Sequence, residues 1–481
     1  MSNNKKINTE NKIIKTEQMS YSTSVFNSET DVIKNTNDNK TLIKNNKSKI
    51  INIKEKIKLK FEEGSFITSI FNLCILSLGT GLLNIPQKIG YMSIFFGTLI
   101  IILAGLANLF TLLILSKMSD KFKITKYDLL VKYLFGNRAS TIFNIILVLN
   151  QSGQIILYQV LIYKLLGGII NELYVFEKYE NIEEFNNNSI WGNIIFRIII
   201  NYLLSIFILF PLCLKKDIKK MRFISMFGLL SLFFLILIII FECPFYIKEW
   251  NNDKISKLNY IDITKGIDKN YNLLKCFGTL FYAFSCHVGV FPVIESIKNP
   301  NIKKINKIFK YSINIDIICY LIIGFAGYFT QPINTPDIII ERKNLINVNR
   351  DYIMILGQFC FLLTLIAKVA INYNSFRLSV LGLLDINSEL LSNKLNKKIT
   401  FLFLIFSTLI AIFFTSVSDL ASLLGSFFSI LISFVIPGLI YIKGNGYPLN
   451  NKYNIFTCIL VICLSFFGLL TGILTIISMF K

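Results

Sequence analysis

The chain has 481 residues, of which 53% are hydrophobic and only 16% charged, with a formal net charge of +21. This balance excludes an ordinary soluble globular domain. It also excludes a nucleic-acid binder, because the basic residues sit in short loops and an amino-terminal arm rather than on an aromatic-interleaved basic face.

The arm, residues 1–62, is rich in Asn, Lys, Ser and Thr and is expected to be disordered and cytoplasmic. It lacks the apolar core of a cleavable signal peptide, so the first span is expected to direct insertion. From residue 63 onward the chain reads as one membrane domain, 63–481. A helix needs roughly 20 apolar residues to cross hydrocarbon. Eleven such segments are predicted, at 66–89, 92–117, 139–170, 193–213, 222–245, 272–296, 308–330, 351–375, 399–417, 419–442 and 453–480. The protein is therefore expected to be all-α and multi-pass. Lys54, Lys56, Lys58 and Lys60 precede the first span, which places the amino terminus inside.

The first span carries Leu78-Gly79-Thr80-Gly81 near its centre, where an unbroken helix would be least costly. Lipid cannot satisfy a freed amide or carbonyl, so irregular backbone at that depth survives only beside a cavity. Interrupted spans of this kind mark solute sites in carriers. Between spans two and three, residues 125–136 show helical spacing that predicts an amphipathic helix at the interface. The third span bears a polar stripe, Asn150, Gln151, Gln154 and Tyr158, read either as the wall of a wet cavity or as interhelical hydrogen bonding. Asn187-Asn188-Ser189 fits a glycosylation acceptor. All nine cysteines lie in or at the ends of spans, which suggests no disulfide framework, with Cys243–Cys276 as a minor alternative pairing.

In the sixth span, Phe281 is a candidate gate, while Ser285 and Cys286 are small enough to leave room for a solute. His287, the chain's single histidine, is either a titrating group or a neutral hydrogen-bonded one that shapes the helix. Glu295, at the inner end of that span, is expected to pair with a basic loop residue.

Several of these patterns, in order, resemble the amino acid/auxin permease family, which includes vacuolar and neutral amino acid transporters. Asn72, Leu73, Gly79, Gly81, Leu83 and Pro86 are similar to its first-span pattern. Tyr127-Asp128-Leu129 with Phe135-Gly136, and Phe210-Pro211-Leu212 with Ile224-Ser225 and Gly228, resemble two of its loops. Phe284-Ser285-Cys286-His287 with Pro292 and Glu295 looks like its sixth span, and Leu424-Gly425-Ser426 with Pro437 like its tenth. The resemblance implies eleven spans, the first ten as a five-plus-five inverted repeat like the bacterial leucine transporter, and amino acid substrates moved with protons or sodium or by exchange.

An amino acid zwitterion needs donors for its carboxylate and acceptors for its ammonium. The amides of Gly79, Thr80 and Gly81 suit the first, the carbonyls around Leu76 and Ser77 the second, unless the glycines only allow close packing. Sodium-driven family members carry a hydroxyl residue where this chain has Lys368, and an Asn where it has Ile75. An ammonium there would stand in for sodium, leaving proton coupling or facilitated transport. Snorkelling of Lys368 to the interface is the alternative. Asn372 and Asn374 replace prolines common in the family, so the eighth helix should run straighter.

The expected function is transport of amino acids by alternating access, sodium-independent and proton-coupled, in a plasma or vacuole-like membrane. The partners are the amino acid, the bilayer and protons; no cofactor, metal or enzyme signature is read. A membrane amino acid receptor signalling through the arm, and an ion channel, are the competing readings.

Overall fold

The computed structural model describes residues 64–170, 172–173, 193–215, 222–249, 258–262, 272–342, 351–384, 386, 392–414, 416–445 and 452–479. The amino-terminal arm, Asn187 and much of the loops around 216–221 and 263–271 lie outside them. Regular structure among the described residues is helical throughout. Among the described residues, ten helices are long and apolar enough to cross a membrane, or eleven if the bent pair described next counts as one span.

That pair is α1, Phe66–Ser77, and α2, Gly81–Met92, bent by 58° where the glycine pattern predicts a break. Next come α3, Ile94–Phe122, and α4, Tyr127–Phe135, the expected short helix between spans. It buries Tyr127, Leu130 and Val131 and exposes Leu129 and Tyr133, as an amphipathic helix should. The chain continues with α5, Asn137–Ile170; α6, Ile194–Cys213; and α7, Arg222–Lys248.

The sixth span divides into α8, Asn272–Ala283, and α9, His287–Ser296. Then follow α10, Ile302–Thr330; α11, Tyr352–Leu383; α12, Asn393–Phe413; α13, Val417–Gly444; and α14, Lys452–Met479. The α11 helix runs unbroken through Asn372 and Asn374, where proline would have cost it a hydrogen bond.

Several ends differ from the apolar-run boundaries, because capping rather than hydropathy sets them. Asn301 accepts from the Lys303 amide and starts α10 six residues before the expected 308. Ser392 does the same for Leu395 and moves the ninth span to Asn393–Phe413, short of the expected 417. Ser416 and Asp351 cap α13 and α11 in the same way. A cap side chain replaces one of the four amide partners that a helix start lacks. The α11 helix also continues beyond the expected 375, to Leu383.

The core gathers around the two broken spans. Leu73, Leu78, Leu82, Leu83, Phe284 and Tyr320 are fully buried there, with α1, α2, α3 and α7 packed on α10. Between α10 and α11 a loop carries one short helical turn, Ile339–Glu341, and buries Ile338, Ile339 and Ile340. No disulfide joins Cys243 and Cys276, so the pairing weighed from sequence is not made.

Candidate functional site

The two breaks lie against each other. A Cβ placed on Gly81 would come within 2.8 Å of the Ala283 Cα and Cβ, so only glycine allows this approach. Close packing and open backbone, alternatives on sequence, therefore hold together at Gly81. The amides of Gly79, Thr80 and Gly81 have no backbone partner among the described residues. The neighbouring carbonyls are occupied. Leu82 and Leu83 amides reach the Gly79 and Thr80 oxygens at 3.2 and 3.3 Å.

Lys368 Nζ donates to the Leu78 oxygen at 3.0 Å, and the residue is 8% exposed. The side chain thus turns into the break rather than out to the interface, which removes the snorkelling alternative. The nearest atom to a Cβ built on Gly79 is again Lys368 Nζ, at 3.2 Å.

The Tyr320 hydroxyl lies 2.9 Å from the Ser77 oxygen and 2.6 Å from the Ala283 oxygen. It therefore ties the ends of α1 and α8 to α10. The Ser77 carbonyl, expected to be available for an ammonium, is held by this phenol. Thr80 Oγ1 and the Tyr282 hydroxyl are 3.2 Å apart, a second link between the breaks.

Beside the breaks is a cavity of about 100 Å³. Ile75 and Leu76 of α1, Gln151, Gln154 and Tyr158 of α5, Ser285 and Cys286 of the second break, and Lys368 and Asn372 of α11 form most of its wall. Gln154 Oε1 accepts from Asn372 Nδ2 at 2.7 Å, and the Tyr158 hydroxyl is 3.4 Å from the same amide. Ser285 Oγ is 3.2 Å from Ser433 Oγ on α13.

Of the residues singled out from sequence, the structure brings Gln154, Tyr158, Ser285, Cys286 and Lys368 to one cavity. Ser77, Gly79, Thr80 and Gly81 stand behind it at the break. Phe281 is buried against Phe434, with ring centroids 5.4 Å apart, and is off the wall. His287 is fully buried with Nε2 3.0 Å from Thr111 Oγ1 of α3, also off the wall. Asn150 is fully buried away from the cavity, so the polar stripe is only partly a wet face. Glu295 accepts from the Thr125 hydroxyl at 2.9 Å instead of pairing with a basic loop residue.

Sequence reasoning missed Asp316 and Tyr320, and read Asn372 only as an absent proline. Asp316 was signalled by being an acid inside an apolar run, the type of residue that is rare in spans without a role.

The end of the bundle where α2 finishes and α8 begins is closed by charged and capped contacts. Lys275 pairs with Asp419 at 2.9 Å, and Lys88 bonds to Ser418. Asp337 accepts the Val417 and Ser418 amides at 3.1 Å each. Nearby, Arg342 pairs with Glu242 and lies 4.5 Å from the Tyr246 ring centroid. The cavity's wall draws instead on α1 and α9, on the other side of the breaks, together with α5, the second break and α11 from Lys368 onward. Among the described residues, no group of three His, Cys, Asp or Glu side chains could hold a metal.

Comparison with known proteins gives one family. The profile described as "Transmembrane amino acid transporter protein" matches residues 62–481. The chain is 23% identical over 410 residues to "Vacuolar amino acid transporter 5" of Saccharomyces cerevisiae, covering 77% of this chain and 87% of that one. It is 22% identical to the protein of the same name in Schizosaccharomyces pombe, covering 82% and 89%. It is 21% identical to "Sodium-coupled neutral amino acid symporter 2" of Danio rerio, covering 81% and 77%.

Proposed function

The chain belongs to the transmembrane amino acid transporter protein family, and from that premise we propose that it carries amino acids by alternating access, without sodium and coupled to protons. The observation that carries this reading is Lys368 on the Leu78 carbonyl beside the cavity. A fixed ammonium there occupies the oxygen that a mobile cation would need.

The unpartnered amides of Gly79, Thr80 and Gly81 suit a substrate carboxylate, since they sit at the positive end of α2. Gln154, Tyr158, Ser285 and Cys286 form the wall for the rest of the solute. At about 100 Å³ the cavity is small for a complete amino acid, so loading requires its walls to part. Closure at the α2–α8 end and a cavity on the other side support a carrier caught with one gate shut. In this reading the first ten spans form two inverted five-helix repeats, with the amino terminus cytoplasmic. The names of the yeast relatives favour a vacuole-like membrane over the plasma membrane.

The test is uptake of labelled amino acids into proteoliposomes, with sodium replaced by choline and with or without an acid-outside gradient. Saturable uptake that ignores sodium and follows the pH gradient is expected. Uptake that stops in choline would refute the role given to Lys368.

A further inference from the structure

Asp316 lies in the middle of α10, fully buried, with one side-chain contact that decides its chemistry. Its Oδ2 is 2.5 Å from Ser77 Oγ, on the last turn of α1. Its Oδ1 has no hydrogen-bond partner within bonding distance among the described residues. Ser77 Oγ is also 3.3 Å from the Leu73 oxygen and 3.2 Å from the Cys74 oxygen.

Ser77 has a single hydroxyl proton and three oxygens around it. If Asp316 is ionised, that proton serves only one of the three. The carboxylate is then left with a share of the Ser77 proton and the weak thiol donor of Cys74, in a dry site, an arrangement membranes disfavour. If Asp316 carries a proton, it donates to Ser77 Oγ, and the Ser77 proton is freed for the α1 carbonyls of Leu73 and Cys74, so the acid no longer competes with them for it.

The surroundings bring no opposite charge. The thiol of Cys74 from α1, that of Cys286 from the second break, and Cys319 and Tyr320 of its own helix face it. The helices α2, α3 and α7 bring no lysine, arginine, histidine or carboxylate to it among the described residues. Cys74 Sγ is itself directed at the Ser312 oxygen, 3.7 Å away.

We propose that Asp316 is the proton-carrying site of this carrier, protonated while α1 holds Ser77 against it and released when α1 moves. The last turn of α1 has two faces. Cys74 and Ser77 turn to α10, whereas Ile75 and Leu76 line the cavity. A solute that displaces this turn therefore displaces the hydrogen-bond partner of the acid. Asp316 and the solute compete for one helix end without touching each other. The inference rests on the carrier reading above and gives its proton an address.

The experiment uses the full chain in proteoliposomes, a labelled mixture of the twenty standard amino acids and a lumenal pH dye. In the wild type, an acid-outside gradient is expected to drive accumulation and acidify the lumen. Asp316→Asn, which can still donate to Ser77, should retain counterflow within about tenfold of wild type. It should lose both gradient-driven accumulation and lumenal acidification. Asp316→Glu should restore both.

Ser77→Ala gives an independent sign. It removes the acceptor of the protonated form, so half-maximal accumulation should need about tenfold more protons. A shift in the opposite direction would mean that Ser77 donates to an ionised Asp316, and would overturn the proposal. So would pH-driven accumulation by Asp316→Asn, or loss of its counterflow in a protein that remains monodisperse. Absence of counterflow in the wild type would instead overturn the carrier reading itself. Should Asp316→Asn fail to fold, the Ser77→Ala shift decides alone.

Discussion

The two breaks have similar outlines and different occupants. In the first, every carbonyl from Ser77 to Thr80 has a donor, two of them supplied by Tyr320 and Lys368. None of its residues from Ser77 to Gly81 reaches the cavity wall. In the second, Ser285 and Cys286 form part of that wall. The first break therefore acts as an electrostatic frame whose carbonyls the protein itself occupies and whose amides alone are left for a solute, and the second presents side chains to it. Their similar outlines conceal a division of labour that the neighbouring helices create.

The largest expected effect comes from forcing the breaks apart. Gly81→Val places atoms inside Ala283, and overpacking of this kind costs about 1–3 kcal/mol. Uptake should fall to background, and the melting temperature in detergent should drop, since backbone cannot yield as a flexible side-chain tip would.

Removing the ammonium comes next. Lys368→Met leaves the Leu78 carbonyl unpaired in a buried site, a loss of about 1–3 kcal/mol. Counterflow should fall by ten- to a hundredfold. If it stays at the wild-type rate, the first break does not depend on this cation and the contrast between the breaks fails.

Tyr320→Phe removes one hydroxyl shared by both breaks, at about 1 kcal/mol. A fivefold drop in uptake, with fold and membrane insertion unchanged, is expected. A change confined to substrate affinity would place Tyr320 with the wall instead of the frame.

The smallest effect concerns the closed end. Lys275→Ala breaks the pair with Asp419, which is partly solvent-exposed and worth about 0.5–1 kcal/mol. A cysteine introduced near Ser418 should become two- to fivefold more reactive to an impermeant maleimide. No change would mean that the α2–α8 end is held by its apolar contacts.

Much of this was legible because short-range signals carry it. Two glycines around a threonine inside an apolar run, and Ser285-Cys286-His287 inside another, mark breaks that any span would otherwise avoid. Ser285, Cys286, Gln154 and Tyr158 followed from being small or polar at membrane depth. The rest depended on rotation and neighbours. Which face of α10 turns inward is set by four helices packed on it, so Asp316 was visible as an acid but not as the partner of Ser77. For the same reason His287 meets Thr111 and Phe281 meets Phe434, both off the wall, since half a turn of helix decides between wall and packing. Helix ends shifted where a cap residue outweighed hydropathy, as at Asn301 and Ser392.

The loop between α10 and α11 has a consequence for how the shut end can open. Ile338, Ile339 and Ile340 are 0–4% exposed, and Gln358 Nε2 of α11 holds the Ile340 oxygen at 3.1 Å. Drawing three isoleucines into water would cost about 5–9 kcal/mol. Withdrawal like a cork is therefore too expensive for a small solute to drive. The stopper must move with the helices that hold it, α11 through Gln358 and α5 through Lys164, which lies 3.6 Å from Glu341.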